Sequence, residues 1–432
     1  MLTIFPRPLK PEHCVAVPGS KSFTHRMLIA AALADGTSRL ENPLHSEDTT
    51  LTARALGQLG ARIETGSDGA ITVTGNGGRL QACSDPLYLG NSGTSMRLLT
   101  AVAALGRGEY RLTGSERMGS RPIAQLIEGL TQIGVPVQSL ANTGCPPLAV
   151  TGGRVRGGKL TLDCSLSSQY LSALLLIAPY TVEGLEIAVS AGPVSRPYID
   201  MTVAVMEDFG VGMDREGYHR FRVAGGRRYR AGRYRVAADA SQAGYFWAAA
   251  AIAGTTVTVR GTAGGSLQGD SRFIELLEAM GCRVAAGAEG ITVSGGPLQA
   301  ITADMGDMPD MVPTLAVVAA FARGTTTIEN VAHLKAKESD RIAAVVNELN
   351  RMGVSARAAA DGLTVTGGQP AGAVIETYED HRIAMSFALA GLKVPGVVIR
   401  DPDCVKKSFP NYWQVFETLF ATPPPLRPAR SE

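Results

Sequence analysis

Apolar residues recur along the chain in a rhythm that returns five times. An amphipathic stretch closes on a glycine and is followed by two short runs in which apolar and polar residues alternate. The pattern is plain in FIELLEAMGCRVAAGAEGITVSGG from Phe273 and in VVNELNRMGVSARAAADGLTVTGG from Val345. The closing glycines Gly60, Gly134, Gly210, Gly281 and Gly353 are 74, 76, 71 and 72 residues apart. The amphipathic stretch predicts a helix, the glycine a left-handed stop, and the alternating run a strand. Each copy also holds a second, more apolar helix followed by a strand, beginning near Ser22, Thr94, Ser167, Ser241, Asp310 and Asp380. That makes six modules. The sixth finishes with residues 408–420, and residues 2–5 are placed to supply its missing strands. Solenoid repeats run at 20 to 50 residues, so a period near 70 predicts an α/β chain of α+β modules instead.

Composition narrows the class. The 432 residues are 45% apolar and 19% charged, enough for real cores, and the length suggests more than one domain. Lys and Arg number 41 against 39 Asp and Glu, so no nucleic-acid partner is expected and any anion site must come from clustering. The six cysteines are scattered, as free thiols of a reducing compartment are, and neither they nor the six histidines show metal-ligand spacing. Residues 1–10 do not read as a signal peptide. The apolar run 243–254 is too short for a bilayer and reads as a buried helix of small residues. The tail 422–432, with four prolines, reads as disordered. The expectation is a cytoplasmic monomer with no membrane partner.

Chemistry gathers where the apolar helices begin. PGSKSFTHR, with Lys21 and Arg26, runs from a turn into the first; LGNSGTSMR, with Gly93, does so in the second; LSSQY, with Ser167, Ser168 and Gln169, in the third. A helix start offers unpaired N–H groups and the positive end of a dipole, which suits an anion. Helix capping alone accounts for any one such motif, but three in corresponding modules, two with cations, favour anion binding. No Walker A loop and no GxGxxG turn is present, so neither ATP nor NAD is expected and no cofactor is called for. Further on, Arg121 and Ser195 precede amphipathic helices, and KAKESDR carries Lys337, Glu338 and Arg341. On a helix Lys337 and Arg341 fall at i and i+4, where two cations repel unless an anion lies between them or Glu338 and Asp340 soften the repulsion as an ordinary solvated charge run. Asp380, His381 and Arg382 open one helix, and Lys407 precedes the last.

Taken in order, PGSKSFTHR, LGNSGTSMR, SRPIAQL, LSSQYLSALL, SRPYIDMT, MPDMVPTLAV, KAKESDRI, TYEDHRIAMSFALAG and DPDCVKKSFPNYW resemble the 5-enolpyruvylshikimate-3-phosphate synthase family of enolpyruvyl transferases. Each motif is short, but the succession is specific. The resemblance implies an inside-out α/β barrel fold: two domains of three modules each, closing over the substrates. Residues 1–18 with 239–421 would form one domain and 19–238 the other, with crossings near 17–19 and 236–239.

The resemblance also implies a reaction: transfer of the enolpyruvyl group of phosphoenolpyruvate to the 5-hydroxyl of shikimate 3-phosphate. By motif, shikimate 3-phosphate falls to Lys21, Ser22, Arg26, Ser167, Ser168, Gln169, Ser195, Asp310 and Lys337. Phosphoenolpyruvate falls to Lys21, Gly93, Arg121, Gln169, Arg341, Arg382 and Lys407. Asp310 is the expected base and Glu338 the expected acid, with Lys21 a rival proton carrier and His381 assisting. Two departures stand out: His333 replaces an asparagine frequent in the family, and His25 another. Gly93 keeps the residue that leaves room for phosphoenolpyruvate, which implies inhibition by glyphosate. The nearest rival, the transferase acting on UDP-N-acetylglucosamine, carries a loop cysteine that residues 114–121 lack. A repeat scaffold without catalysis explains the modules but not the acidic and basic helix starts.

Overall fold

Each amphipathic stretch of the first five modules is a helix ended by its glycine, all five glycines lying at φ between +76° and +107°. A side chain there would be strained, so the residue type fixes where each helix stops. A computed structural model of the chain describes residues 1–421; the tail 422–432 lies outside the described residues. The second module shows the plan: strand Leu87–Tyr88, helix Gly93–Ala103, strand Gly108–Thr113, helix Ala124–Gln132, then strands Val137–Ser139 and Leu148–Gly152. The first two strands pair in parallel and the rest antiparallel, giving a four-stranded sheet. The third and fifth modules repeat this order in one continuous run of chain.

Among the described residues the other three sheets are completed from far along the chain. Arg233–Arg235 pairs with Asp35–Glu41 in the first module, and Glu12–Ala16 with Thr256–Arg260 in the fourth. Neither loan was visible in the apolar rhythm. In the sixth, Leu2–Ile4 pairs antiparallel with Val397–Ile399, which in turn pairs with Val374–Ile375.

The chain divides into two compact units, Gly19–Ala237, and Met1–Pro18 with the chain from Ala238 onward, each with its own apolar core. In the first unit helices Lys21–Leu33, Gly93–Ala103 and Gln169–Ile177 pack on one another at the centre, with sheets around them. In the second, Val312–Ala319 packs on both Ala240–Ala253 and His381–Ala388. These inner helices are buried nearly all round, as their apolar sequences require. Among the described residues no helix is long and apolar enough to cross a membrane.

The N-terminal strand is a structural part of its unit. Ile4 is 1% exposed, and a Cβ on Gly391 would lie 2.5 Å from it. Ile4→Ala is expected to lower unfolding free energy by about 2–5 kcal/mol, read by urea denaturation; an unchanged midpoint would mean that the sixth sheet stands without this strand.

Candidate active site

Because the inner helices are apolar along their length, their polar groups collect at the starts. In the unit 19–237, Ser20 caps the first, its hydroxyl accepting from the Phe23 amide, and Ser92 caps the second through the Ser95 amide. Lys21 follows its cap at once, with Nζ 3.2 Å from Asp48. Arg26, one turn on, is 1% exposed; it donates to Thr202 Oγ1 (2.7 Å), Ser172 Oγ (3.3 Å) and the carbonyls of Ser22 and Tyr198. Burial draws its guanidinium down to about 10, so it keeps its charge at neutral pH. Ser22 is half-buried, while Ser167 and Ser168 are buried where the third helix begins, the Ser167 hydroxyl accepting from the Gln169 amide.

Gln169 is held from both sides. Its Nε2 donates to Thr94 Oγ1 (3.0 Å), and its Oε1 accepts from Arg97 (2.8 Å). Arg97 also donates to the Pro122 carbonyl and lies over the Tyr170 ring, 5.5 Å from its centroid. Arg121 donates to the carbonyl and side chain of Asn91. A Cβ on Gly93 would stand 2.4 Å from Arg121 Nη2, so only glycine leaves that guanidinium where it is. Ser195, buried before helix Pro197–Asp208, holds φ +55°, a conformation that serine adopts at a cost.

In the other unit the inner helix starts carry carboxylates: Asp239, Asp310 and Asp380. Arg341, 1% exposed, joins two of them. Its Nε and Nη2 donate to Asp380 (2.8 and 3.2 Å), Nη1 to Asp310 (2.8 Å), and Nη2 also to Glu338 (2.9 Å). Arg382 completes the set, donating to the second Asp310 oxygen (2.6 Å) and to the Tyr245 hydroxyl (3.2 Å). Burial opposes the Arg341 charge, yet Asp380, Glu338 and Asp310 together hold it above the usual arginine range. Burial and then the Lys337 charge push His333 down to about 3, which keeps that imidazole neutral. His381 is wholly buried, its Nδ1 3.8 Å from Asp380, too far for a hydrogen bond. Lys407 is buried at the end of the Pro402–Lys407 turn, which packs on helix His381–Ala388.

One expectation is corrected. Lys337 and Arg341 do not share a helix face, because the helix runs Arg341–Arg351 and Asp340 caps it through the Ala343 amide. Lys337 lies before it, in extended backbone at the end of turn Ala332–Ala336. Aspartate is a strong N-cap, so KAKESDR signalled a helix that begins at Arg341 and not at or before Lys337. Sequence reasoning also missed Asp48, Arg97, Tyr245 and Asp380 as partners of site residues. Arg97 and Asp380 stood inside quoted motifs, whereas nothing local marked Tyr245 in its run of alanines. Among the described residues no group of three or more His, Cys, Asp or Glu side chains is arranged to hold a metal ion, and all six cysteines are free.

Residues 8–416 match the family model described as EPSP synthase (3-phosphoshikimate 1-carboxyvinyltransferase). The chain belongs to the EPSP synthase family. The curated 3-phosphoshikimate 1-carboxyvinyltransferase of Methanoculleus marisnigri is 47% identical over 399 residues, 92% of this chain and 94% of that one. The protein of the same description from Syntrophobacter fumaroxidans is 45% identical over 94% and 96%. The solved EPSP synthase of Acinetobacter baumannii superposes with TM-score 0.82 at 30% identity, covering 98% of each chain. The family match therefore spans both units and all the residues just described. The EPSP synthases are transferases of the shikimate pathway, and the mixed α/β architecture here is theirs.

The Arg341 cluster has a measurable weight. Asp380 is 0% exposed and accepts from Arg341, Ser339 and the Arg382 amide. Asp380→Asn should destabilise the protein by about 1.5–3 kcal/mol, the range for hydrogen bonds to a charged group, because Arg341 keeps Asp310 and Glu338. Chemical denaturation at pH 7 measures it; a loss under 1 kcal/mol would show that Arg341 does not need this carboxylate.

Proposed function

We infer that the chain transfers the enolpyruvyl group of phosphoenolpyruvate to the 5-hydroxyl of shikimate 3-phosphate and releases phosphate. The observation that carries the reading is Asp310, a part-exposed carboxylate gripped by Arg341 and Arg382 beside the carboxyl of Glu338. It gives the acid–base pair that addition and elimination require, set among cations that suit two doubly anionic substrates.

On this reading Asp310 takes the proton of the 5-hydroxyl as its oxygen bonds to C2 of phosphoenolpyruvate. Glu338 delivers a proton to C3, with Lys21 the rival carrier and His381 assisting from its buried place. The tetrahedral adduct then loses a proton from C3, the C2–O bond to phosphate breaks, and the double bond re-forms. Lys21, Gly93, Arg121, Gln169, Arg341, Arg382 and Lys407 are assigned to phosphoenolpyruvate. Lys21, Ser22, Arg26, Ser167, Ser168, Gln169, Ser195, Asp310 and Lys337 are assigned to shikimate 3-phosphate. Arg26 supports this. It is buried among hydroxyls and carbonyls, with no carboxylate bonded to it among the described residues, a costly state that an anionic substrate would relieve.

Phosphate release should require both substrates, with glyphosate suppressing it; release from phosphoenolpyruvate alone would overturn the transfer. Asp310→Asn should lower kcat by roughly 10²–10⁴-fold, and full turnover would remove Asp310 as base. Arg121→Ala should raise the KM for phosphoenolpyruvate about tenfold or more, the loss of a charge-assisted bond of about 1.5–3 kcal/mol. Gly93→Ala should act in the same direction by displacing that guanidinium; an unchanged KM in both variants would unseat the Arg121 assignment.

A further inference from the structure

Behind the Asp310–Arg382 pair lies a third acid that the reaction as described does not use. Asp270, 3% exposed, sits in the single turn Gly269–Arg272, which packs on helix Ala240–Ala253 and on the Pro309–Met311 turn that carries Asp310. The Ser241 hydroxyl donates to its Oδ2, while its Oδ1 is buried with no hydrogen-bond partner among the described residues. Ser241 and Tyr245 are four residues apart, on one face of their helix. Tyr245 accepts from Arg382, and Arg382 from there reaches Asp310. The same helix face thus touches Asp270 at one turn and the Arg382–Asp310 pair at the next.

We propose that Asp270 is a positioning residue for the reaction, a buried carboxyl whose charge sets how tightly Arg382 holds Asp310. Two guanidinium groups on one carboxylate keep it ionised and reduce its pull on a proton, which is unhelpful in a base. A negative charge on Asp270 attracts Arg382 and repels a second negative charge on Asp310, so it restores basicity there. Loss of that charge tightens the pair. The inference rests on Asp310 as base.

The groups facing Asp270 are Asp239 and Ser241 from the Ala240–Ala253 helix and its cap, Asp310 from the turn beside it, and Arg382. On its own segment Arg272 and Glu275 pair with each other at the surface. Burial first, and then the Asp310 charge, push the Asp270 carboxyl up to about 7, with Arg382 and the Ser241 hydroxyl opposing. The carboxyl is therefore neutral below that pH and ionised above it. As pH rises through 7, Arg382 loosens and Asp310 becomes the stronger base.

The test is the pH profile of kcat for the full-length enzyme and for Asp270→Asn, which keeps the shape and fixes the charge at zero. The unaltered protein should show a rise of roughly three- to tenfold centred near pH 7, and D270N should stay flat at the lower level. A limb that survives in D270N at the same pH overturns the proposal. Should D270N fold poorly, Ser241→Ala serves instead: without the hydroxyl that stabilises the anion, the limb should move to higher pH, and a limb that stays in place overturns it. Infrared difference spectra supply a readout independent of turnover. A protonated-carboxyl band should titrate near pH 7 and vanish in D270N, and its absence at pH 6 would rule out the neutral acid. A normal band with undiminished Asp310→Asn activity would instead fault the base assignment alone.

Discussion

A helix buried on every side has nowhere to put a charge except at its ends, and that constraint organises this protein. The inner helices Lys21–Leu33, Gly93–Ala103 and Gln169–Ile177 exclude water along their length. Their starts, where backbone N–H groups lack intrahelical partners, are the places where polar side chains can be both fixed and useful. Serine caps leave room for an anion to add its charge. The helices of the other unit begin instead at Asp239, Asp310 and Asp380, which already supply negative charge. Cations must then offset it: Arg382 stands in the first turn of the helix that Asp380 caps, and Arg341 comes from a separate helix. One fold plan, used twice, so yields a set of helix starts suited to anions and a set whose carboxylates are held by arginines.

The acidic set is stable only as a whole. Arg341 alone would be prohibitive to bury, as would Asp380, yet the guanidinium fork meets three carboxylates at 2.8 to 2.9 Å. A lysine has neither the reach nor the planar pair of donors for this. The outcome is a carboxylate, Asp310, whose position is fixed by two arginines from different elements. Preorganisation of that kind matters more for catalysis than net stability does, since the groups need not rearrange when charge moves.

Much of this was legible in the sequence, for physical reasons. Helix-ending glycines at near-regular spacing mark modules because only glycine sits easily at positive φ, so Gly60, Gly134, Gly210, Gly281 and Gly353 identified five at once. Leu2–Ile4 could be placed because the sixth module visibly lacked strands. Glu12–Ala16 and Arg233–Arg235 could not, since each adds a fourth strand to a module whose own three strands already fit the repeat. Site residues inside runs of polar and small residues were found, whereas Tyr245 looked like packing in an alanine-rich helix. The Lys337–Arg341 spacing misled because a charge pattern says nothing of where a helix begins; Asp340, the cap, was the better signal.

The turn before Asp380 shows how the same economy extends outward. Tyr378 and Glu379 hold φ of +55° and +54°, each a strained choice for a residue with a side chain. Glu348, fully buried, opposes that strain: it accepts from the Tyr378 hydroxyl at 2.8 Å and from the Glu376 amide at 3.1 Å. Glu348 and Arg341 are seven residues apart on helix Arg341–Arg351, about two turns and so on one face. A single rigid helix therefore grips the turn at Glu348 and its product, the Asp380 carboxylate, at Arg341. The strained backbone aims Asp380 at the guanidinium, and the helix that carries the guanidinium keeps the backbone strained. Neither part has reason to hold its geometry without the other, which is why a glutamate far from the reacting groups belongs to the account of how they are placed.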